Sequence, residues 1–391
     1  MSIEEIKTQI ISEVESCRDE LYDLSRHIHD NPELGFHEVK AAAWLTKFLQ
    51  NNSFTIELGI AGLKTAFRAT YGKGKPLIAL LAEYDALPEL GHACGHNIIC
   101  TSAVGAGVAS RPAIDCYGGS VVVIGTPAEE LYGGKITMAQ KGVFDDLDSA
   151  MMIHPGGFDT VSIEALACIG LEVEFFGKSS HAAGRPEAGI NALEAMILSY
   201  NGINSLRQHI RSKARVHGII TDGGQAANVV PAHSAGSFLV RAPDMVYLEV
   251  IKEKVLNCFK GAATATGARL EYKWDELCYA PVRNNLALGK LFLANMRRIG
   301  RNTIMSDPRQ SFGSTDFGNV SQIVPGIHAT ISISGGRGVV SHSPQFAEAA
   351  VSERGLQAVV DAAKGMALTV ADLVSDSGLV EKAKAEFFKS K

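Results

Sequence analysis

The chain has 391 residues, of which 46% are hydrophobic and 20% charged, and its formal net charge at pH 7 is -5. This length exceeds what one hydrophobic core usually covers, so we expect two domains. Lys and Arg are dispersed along the chain without the basic stripe that phosphate backbones require, so nucleic acid is not an expected partner.

The N-terminal stretch and the cysteines predict the compartment. Residues 1–17, MSIEEIKTQIISEVESC, are acidic. They lack the positively charged start, the apolar run and the small-residue cleavage site of a secretory signal. No apolar run approaches the roughly 18 residues that a membrane span needs. The cysteine count is seven, an odd number without framework spacing, which favours reduced thiols. We therefore expect a cytoplasmic protein with no membrane partner.

The first predicted element is one long helix. Apolar residues from Ile3 to Ile28 recur at spacings of three and four, Ser2 and Glu5 form a capping box, and Pro32 ends the helix. Four apolar runs then predict buried strands at residues 76–82, 120–125, 149–153 and 328–334. They lack polar alternation and are separated by segments long enough for crossover helices. The pattern predicts an α/β domain with a mixed, mostly parallel sheet covered by helices.

A different pattern occupies residues 168–280. Half-exposed strands and two helical segments follow one another in the order β-α-β-β-α-β, which is typical of a compact split βαβ unit, a ferredoxin-like α+β domain. We therefore predict a first domain made of residues 1–167 and 281–391, with the second domain, residues 168–280, inserted into it.

Acids and imidazoles follow each of the four predicted strands. In chain order they are Glu83 and Asp85, then Glu129 and Glu130, then His154, and finally His342. Open α/β sheets place their ligand sites at the carboxyl ends of the strands. A single carboxylate after a strand is usually a helix cap, but convergence from four strand ends predicts one functional site.

The heptapeptide GHACGHN, residues 91–97, adds Cys94 and His96 to this edge. A catalytic metal site needs N, O or S ligands with an open position for water, and paired metal ions can clamp both reacting atoms. Five candidate ligands are available: Cys94, His96, Glu130, His154 and His342. Glu129, adjacent to Glu130, is the candidate general base, because one carboxylate can bind metal while its neighbour accepts a proton.

Other interpretations of Cys94 stay open. Cys94 could be a small buried residue in a tight turn, or a nucleophile with His96 or His92 as its base, which would make the protein a metal-independent thiol amidase. The thiol mechanism leaves the acids and imidazoles of the other strand ends unexplained, whereas the metal site uses them all. A catalytically silent binding protein is the third class, although Glu129 and the complete ligand set give it no support.

Seven motifs together resemble a known family. EYDALP, GHACGHN, TPAEE, IHP, GKSSHAAGRPEAG, NVVP and SHSPQF occur in the order seen in the zinc aminoacylase and carboxypeptidase family of metallopeptidases. The chain most resembles its amidohydrolase branch, which includes aminobenzoyl-glutamate hydrolase, indole-acetyl-amino-acid hydrolases and, most similar of all, the β-alanyl-lysine dipeptidase type. The resemblance extends over nearly the whole chain.

The resemblance implies a role for each motif residue. It implies that the five candidate ligands bind one or two zinc ions per subunit, with manganese or cobalt as alternatives, that Glu129 is the base and that Asp85 belongs to the catalytic group. It implies that residues 168–280 form a lid and dimerisation domain of a homodimer. His181 would stabilise the oxyanion, often across the subunit boundary in this family, and Asn228 and Arg241 match positions that hold the substrate carboxylate in several relatives.

One departure concerns the metal. Many two-zinc relatives carry His-x-Asp where this chain has Glu83-Tyr84-Asp85, and a bridging Asp where it has Cys94. The dipeptidase-like branch shares the version seen here, so the resemblance still implies activity and leaves the identity and number of metal ions open. The expected function is a metal-dependent amidohydrolase that cleaves an N-acyl-amino acid or a dipeptide with a free α-carboxylate.

Overall fold

The computed structural model describes residues 1–307, 313–335 and 339–389. The chain divides into two compact units. The first comprises the described residues of Met1–Glu164, Val282–Phe312 and Asp316–Lys391, and the second comprises Ala165–Pro281 and Gly313–Thr315.

The strands and helices are numbered in chain order. The strands are β1 Thr55–Leu58, β2 Phe67–Lys73, β3 Leu77–Ala82, β4 Gly119–Gly125, β5 Ser149–Gly156, β6 Ala167–Phe176, β7 Arg215–Asp222, β8 His233–Ala242, β9 Arg269–Trp274 and β10 Gly326–Ser332. The helices are α1 Ile3–Ser16, α2 Arg18–Asp30, α3 Val39–Asn51, α4 His96–Ala109, α5 Arg111–Tyr117, α6 Glu129–Tyr132, α7 Gly134–Gln140, α8 Ala192–Leu206, α9 Met245–Thr266, α10 Leu286–Arg298, α11 Phe317–Ser321, α12 Pro344–Ala350, α13 Glu353–Ser375 and α14 Ser377–Lys389.

A six-stranded mixed sheet with the order β1-β2-β4-β3-β5-β10 organises the first unit. The strands β4, β3, β5 and β10 run parallel to one another, whereas β1 and β2 form an antiparallel edge. The four predicted strands are these four parallel ones, so the predicted fold class is confirmed. Their carboxyl ends lie along one edge of the sheet, which is the edge where the predicted site residues follow.

The helix α4 lies at the centre of the first unit and all of its residues are buried. It packs closely against α2 and β4 because two of its positions lack a side chain. A Cβ at Gly105 would lie 2.9 Å from a Leu21 methyl, and one at Gly107 would lie 2.6 Å from a Val123 methyl. The sequence after His96 therefore builds a helix that fits tightly against the sheet and fixes His96 at its first turn.

The N-terminal helix differs from the prediction. The sequence pattern predicted one helix through Ile28, but the structure has α1 and α2 with a break at Cys17, where φ is -99° and ψ is 10°. The Cys17 thiol donates a hydrogen bond to the Glu13 carbonyl at 3.1 Å. Val14, Cys17 and Leu21 all pack against the same core, so the apolar spacing continues through the break and conceals it.

The second unit has the order of elements that the sequence predicted. Its four strands form an antiparallel sheet with the order β7-β8-β6-β9. The helices α8 and α9 pack together and against this sheet around a separate apolar core. This β-α-β-β-α-β arrangement is ferredoxin-like. Among the helices of the described residues, none has both the length and the apolar character needed to cross a membrane.

Candidate active site

The carboxyl edge of the parallel strands gathers the predicted residues of the first unit. Glu83 and Asp85 directly follow β3, Glu129 and Glu130 open α6 beyond β4, His154 lies within β5, Cys94 and His96 stand at the start of α4, and His342 precedes α12. The sequence pattern ended the third strand at residue 153, whereas β5 continues to Gly156 and includes His154. His342 lies ten residues beyond β10, and residues 336–338 between them are outside the described part of the chain.

Cys94, His96 and His154 form the first group. One ligand atom from each residue lies within 4.8 Å of the others. The Cys94 Sγ and His154 Nε2 atoms are 3.4 Å apart, while His154 Nδ1 donates a hydrogen bond to the Pro155 carbonyl at 2.7 Å. That bond places the ring proton on Nδ1, so Nε2 faces the cluster with its lone electron pair, as a metal ligand requires.

Cys94, Glu130 and His342 form an adjoining group within the same distance limit. His342 Nε2 lies 3.3 Å from a Glu130 carboxylate oxygen. The His342 backbone has a left-handed φ of 65°, and its N–H donates to the Ala93 carbonyl at 2.8 Å. This contact ties the loop before α12 to the turn that carries Cys94.

Two buried atoms at the centre of these groups indicate a position for a cation. Within the described part of the chain, His96 Nε2 and Glu130 Oε1 have no hydrogen-bond partner, and they lie 3.6 Å from each other. Buried polar atoms are nearly always paired, so two such atoms that face each other need an explanation. A thiolate, imidazoles and a carboxylate are the donor set that zinc prefers, and the residues present therefore fit a divalent metal ion.

Asp85 lies behind the ligands and holds two of them. Its Oδ1 accepts a hydrogen bond from His96 Nδ1 at 3.1 Å, and its Oδ2 accepts one from the Glu130 N–H at 3.0 Å. Burial would lower the pKa of His96, but the Asp85 carboxylate raises it well above its usual value. Asp85 therefore increases the affinity of His96 Nε2 for a proton or a metal cation, and it fixes the orientation of the imidazole ring.

The two adjacent glutamates have opposite electrostatic environments. Burial and the neighbouring carboxylates of Glu83 and Asp316 raise the pKa of Glu129 well above its usual value. Burial also acts on Glu130, but the hydrogen bond from His342 and the charge of His96 hold the pKa of Glu130 below its usual value. A carboxylate that stays ionised suits a ligand, and a neighbour that binds protons more readily suits a general base.

Burial of Cys94 weakens the thiol-amidase alternative. Cys94 is 8% exposed, and burial raises its pKa well above the usual value. Only the thiolate is nucleophilic, so without a metal ion this thiol would stay protonated and unreactive at neutral pH.

Sequence reasoning missed a group of charges beside the base. Lys135, in α7, is completely buried, and its Nζ lies 2.6 Å from both a Glu83 and an Asp316 carboxylate oxygen. The available signal was a lysine directly after the Gly-Gly pair that follows the two glutamates. His328 was also missed, and its ring stacks on that of His154 with centroids 5.6 Å apart.

The other predicted residues, His181, Asn228 and Arg241, belong to the second unit. Backbone pairing brings the first two together, because His181 bridges Val229 and the Ala182 N–H donates to the Asn228 carbonyl at 3.0 Å. His181 Nδ1 accepts hydrogen bonds from the Ala183 and Gly184 N–H groups, so its proton lies on Nε2.

Arg241 is on β8, and its guanidinium donates to the Ser314 hydroxyl at 2.9 Å. The roles predicted for these three residues and for the first-unit residues stay predictions.

Comparison with known proteins identifies the family. The model described as peptidase family M20/M25/M40 matches residues 79–365. The chain belongs to this family. Mouse Xaa-Arg dipeptidase is 36% identical over 98% of this chain and 93% of its own length. A p-aminobenzoyl-glutamate hydrolase subunit from Escherichia coli is 38% identical over 72% of this chain and 63% of its own length.

A solved structure of an M20-family member shares the fold. This Bacillus subtilis protein, described as a dinuclear metal-binding peptidase, is 20% identical and matches with a TM-score of 0.72 over 92% of this chain and 99% of its own. The resemblance read from the seven motifs is therefore confirmed, and so is the prediction that this M20 protein is an enzyme of the metallo-hydrolase type that cleaves amide bonds.

Proposed function

We propose that the protein is a metal-dependent dipeptidase or N-acyl-amino-acid amidohydrolase whose substrates carry a free α-carboxylate. The observation that carries the proposal is the pair of buried, facing atoms, His96 Nε2 and Glu130 Oε1, among the donors of Cys94, His154 and His342. The substrate class is supported by the relatives, which are named for an Xaa-Arg dipeptide and for p-aminobenzoyl-glutamate.

The five candidate ligands would hold one or two divalent metal ions. A thiolate favours zinc, and manganese and cobalt are the alternatives. When bound, the metal supplies a Lewis acid that polarises the scissile carbonyl and makes water easier to deprotonate. Asp85 keeps His96 in the orientation that binding requires.

The remaining chemistry is assigned to side chains of this chain. Glu129 takes the proton from the attacking water and delivers it to the departing amine. His181 donates from Nε2 to the oxyanion, a role supported by the two N–H groups that fix its tautomer. Arg241 grips the substrate carboxylate, with Asn228 beside it, since a guanidinium can bind a carboxylate with two parallel hydrogen bonds.

We also propose that residues 168–280 act as a lid and dimerisation domain, in a cytoplasmic homodimer. Support for the dimer comes from β7, an edge strand of the second unit, which exposes 64% of Ile219 and 40% of Ile220. Such an edge can pair with a second copy. Support for the compartment comes from the cysteines, which form no disulfide within the described residues.

The first test measures turnover of several substrates with and without bound metal. The purified protein is assayed with Xaa-Arg dipeptides, β-alanyl-lysine, p-aminobenzoyl-glutamate and simple N-acyl-amino acids, before and after chelation, while its metal content is measured. Turnover that chelation abolishes and one divalent ion restores is the expected result. Full activity in the chelated, metal-free protein would refute the proposal in favour of the thiol mechanism, and a metal-loaded protein without turnover would indicate the silent class.

Glu129→Gln tests the base, with Glu57→Gln as the matched control because Glu57 lies exposed on β1. The amide cannot accept a proton, so turnover should fall by about 10² to 10⁴-fold while metal content stays unchanged. A Glu129→Gln protein within about tenfold of wild type would remove Glu129 from the role.

A further inference from the structure

A fully buried ammonium group lies beside the proposed base. Lys135 is 0% exposed, and its Nζ lies 2.6 Å from Glu83 Oε1 and 2.6 Å from Asp316 Oδ1. Its backbone N–H also donates to Asp316 Oδ2 at 2.9 Å. Burying a charge is costly unless it is paired with good geometry, so this group is maintained by both carboxylates together.

The backbone that carries Lys135 is fixed against the turn that presents Glu129. Gly134 precedes Lys135 at the start of α7, and a Cβ there would lie 1.9 Å from the Pro127 carbonyl oxygen. Only glycine permits this approach. The position of the lysine relative to the Pro127–Glu129 turn is therefore set by close backbone packing.

The partners of Lys135 border both the base and a ligand. Carboxylate oxygens of Glu83, Glu129 and Asp316 lie within 4.8 Å of one another. The second oxygen of Glu83, Oε2, lies 3.6 Å from His96 Nε2, the atom assigned to the metal ion. One ammonium group thus holds two carboxylates that would otherwise repel Glu129 or move toward the metal position.

We propose that Lys135 is a positioning residue for the hydrolytic reaction: by binding Glu83 and Asp316 it keeps Glu129 in the orientation that accepts the proton and keeps Glu83 from joining the metal ligands. This inference rests on the proposed function for its catalytic part. A purely structural role would make Lys135 important for folding alone, without an effect on turnover by the folded, metal-loaded enzyme.

The test is Lys135→Met, with Lys7→Met as the matched control. Lys7 is also a buried lysine, and its Nζ lies 2.6 Å from Asp372 Oδ1 and donates to Asn295 Oδ1 at 3.1 Å, among the helices α1, α10 and α13. Each protein is loaded with zinc for kinetics and with Co²⁺ for absorption spectroscopy, and its metal content is measured.

For Lys135→Met we expect kcat to fall by about 10 to 100-fold, the size typical of residues that orient metal ligands. KM should stay within about twofold and the metal content should be unchanged, while the Co²⁺ spectrum should change because Glu83 is free to reach the metal. Lys7→Met should lower stability and leave kcat and the spectrum as in wild type.

A second variant covers the case in which Lys135→Met folds poorly. Lys135→Met/Asp316→Asn removes a negative charge together with the positive one, so it should regain stability but keep the low kcat, because Glu83 still lacks its partner. Wild-type kcat in the folded double variant, or in Lys135→Met itself, would overturn the proposal.

The Co²⁺ absorption spectrum distinguishes a failure of this inference from a failure of the proposed function. A wild-type protein without turnover would refute the function, and the Co²⁺ spectra would still decide the role of Lys135. Identical spectra for Lys135→Met and wild type would then refute the positioning role.

Discussion

Glu38 should make the stability of this protein depend on pH. Its side chain is completely buried. Oε2 accepts a hydrogen bond from the Thr65 hydroxyl at 2.8 Å, and Oε1 accepts one from the Ala128 N–H at 2.9 Å. Burial raises the pKa of Glu38 from 4.5 to about 7. Ala128 has a left-handed φ of 61° and directly precedes Glu129, so Glu38 supports the turn that presents the proposed base.

The direction of the effect follows from proton binding. Between pH 4.5 and 7 the folded protein keeps a proton on Glu38 that the unfolded chain releases, so the free energy of unfolding falls as the pH rises through this window. At about 1.4 kcal/mol per pH unit, the difference between the two pKa values amounts to about 3 kcal/mol. That amount is a large fraction of the 5 to 15 kcal/mol that stabilises a typical protein.

Glu38→Gln isolates this contribution because its side chain cannot ionise. Urea unfolding is measured from pH 5 to 8, with chelator present throughout so that metal binding does not contribute. The stability of Glu38→Gln relative to wild type should increase by about 2.5 kcal/mol from pH 5 to 8, since a small part of the effect falls below pH 5. Glu57→Gln, exposed on β1, should follow the wild-type curve. A stability difference between Glu38→Gln and wild type that does not change with pH would refute the reasoning.

Three further predictions concern the site. Cys94→Ser should lower metal content together with activity, and mass spectrometry should find no acyl group on Cys94; a thioester there would favour the thiol mechanism. Asp85→Ala removes the acceptor of the His96 Nδ1 proton, so metal affinity measured by chelator competition should fall by about 10 to 100-fold, and an unchanged affinity would contradict the orienting role. His181→Ala should lower turnover by about 10² to 10³-fold with metal content unchanged. If His181 acts on a partner subunit, mixing His181→Ala with Glu129→Gln should restore part of the activity, whereas a monomer or inactive mixed dimers would exclude that arrangement.

The sequence predicted the parallel part of the sheet because those strands are buried on both faces and appear as uninterrupted apolar runs. It also predicted the edge at which acids and imidazoles gather, since parallel strands end on the same side. The strands β1 and β2 were missed because they are less regular in pattern: most residues of β1 are exposed. The helix break at Cys17 was missed because periodicity records which face is buried and is insensitive to a single residue with non-helical dihedral angles.

The charges around Lys135 could not be predicted in the same way. Lys135 and Asp316 are 181 residues apart in sequence, and a lone lysine is nearly always solvated. Glu38 likewise lies 90 residues from its donor Ala128. Such pairs depend on how distant segments pack, whereas the metal-ligand candidates were recognisable because their residue types and strand-end positions carry a local signal.

The insertion of the second unit has a consequence for biosynthesis. Most of the proposed ligands precede residue 165, whereas β10 and His342 follow residue 281. On the ribosome, β5 therefore emerges long before β10, its parallel neighbour at the edge of the sheet. During that interval an unpaired apolar strand edge is exposed to aggregation, and the ligand set is incomplete. A full ligand set forms only after the chain has emerged beyond His342, so tight metal binding would mark a molecule in which β10 and the loop after it are in place.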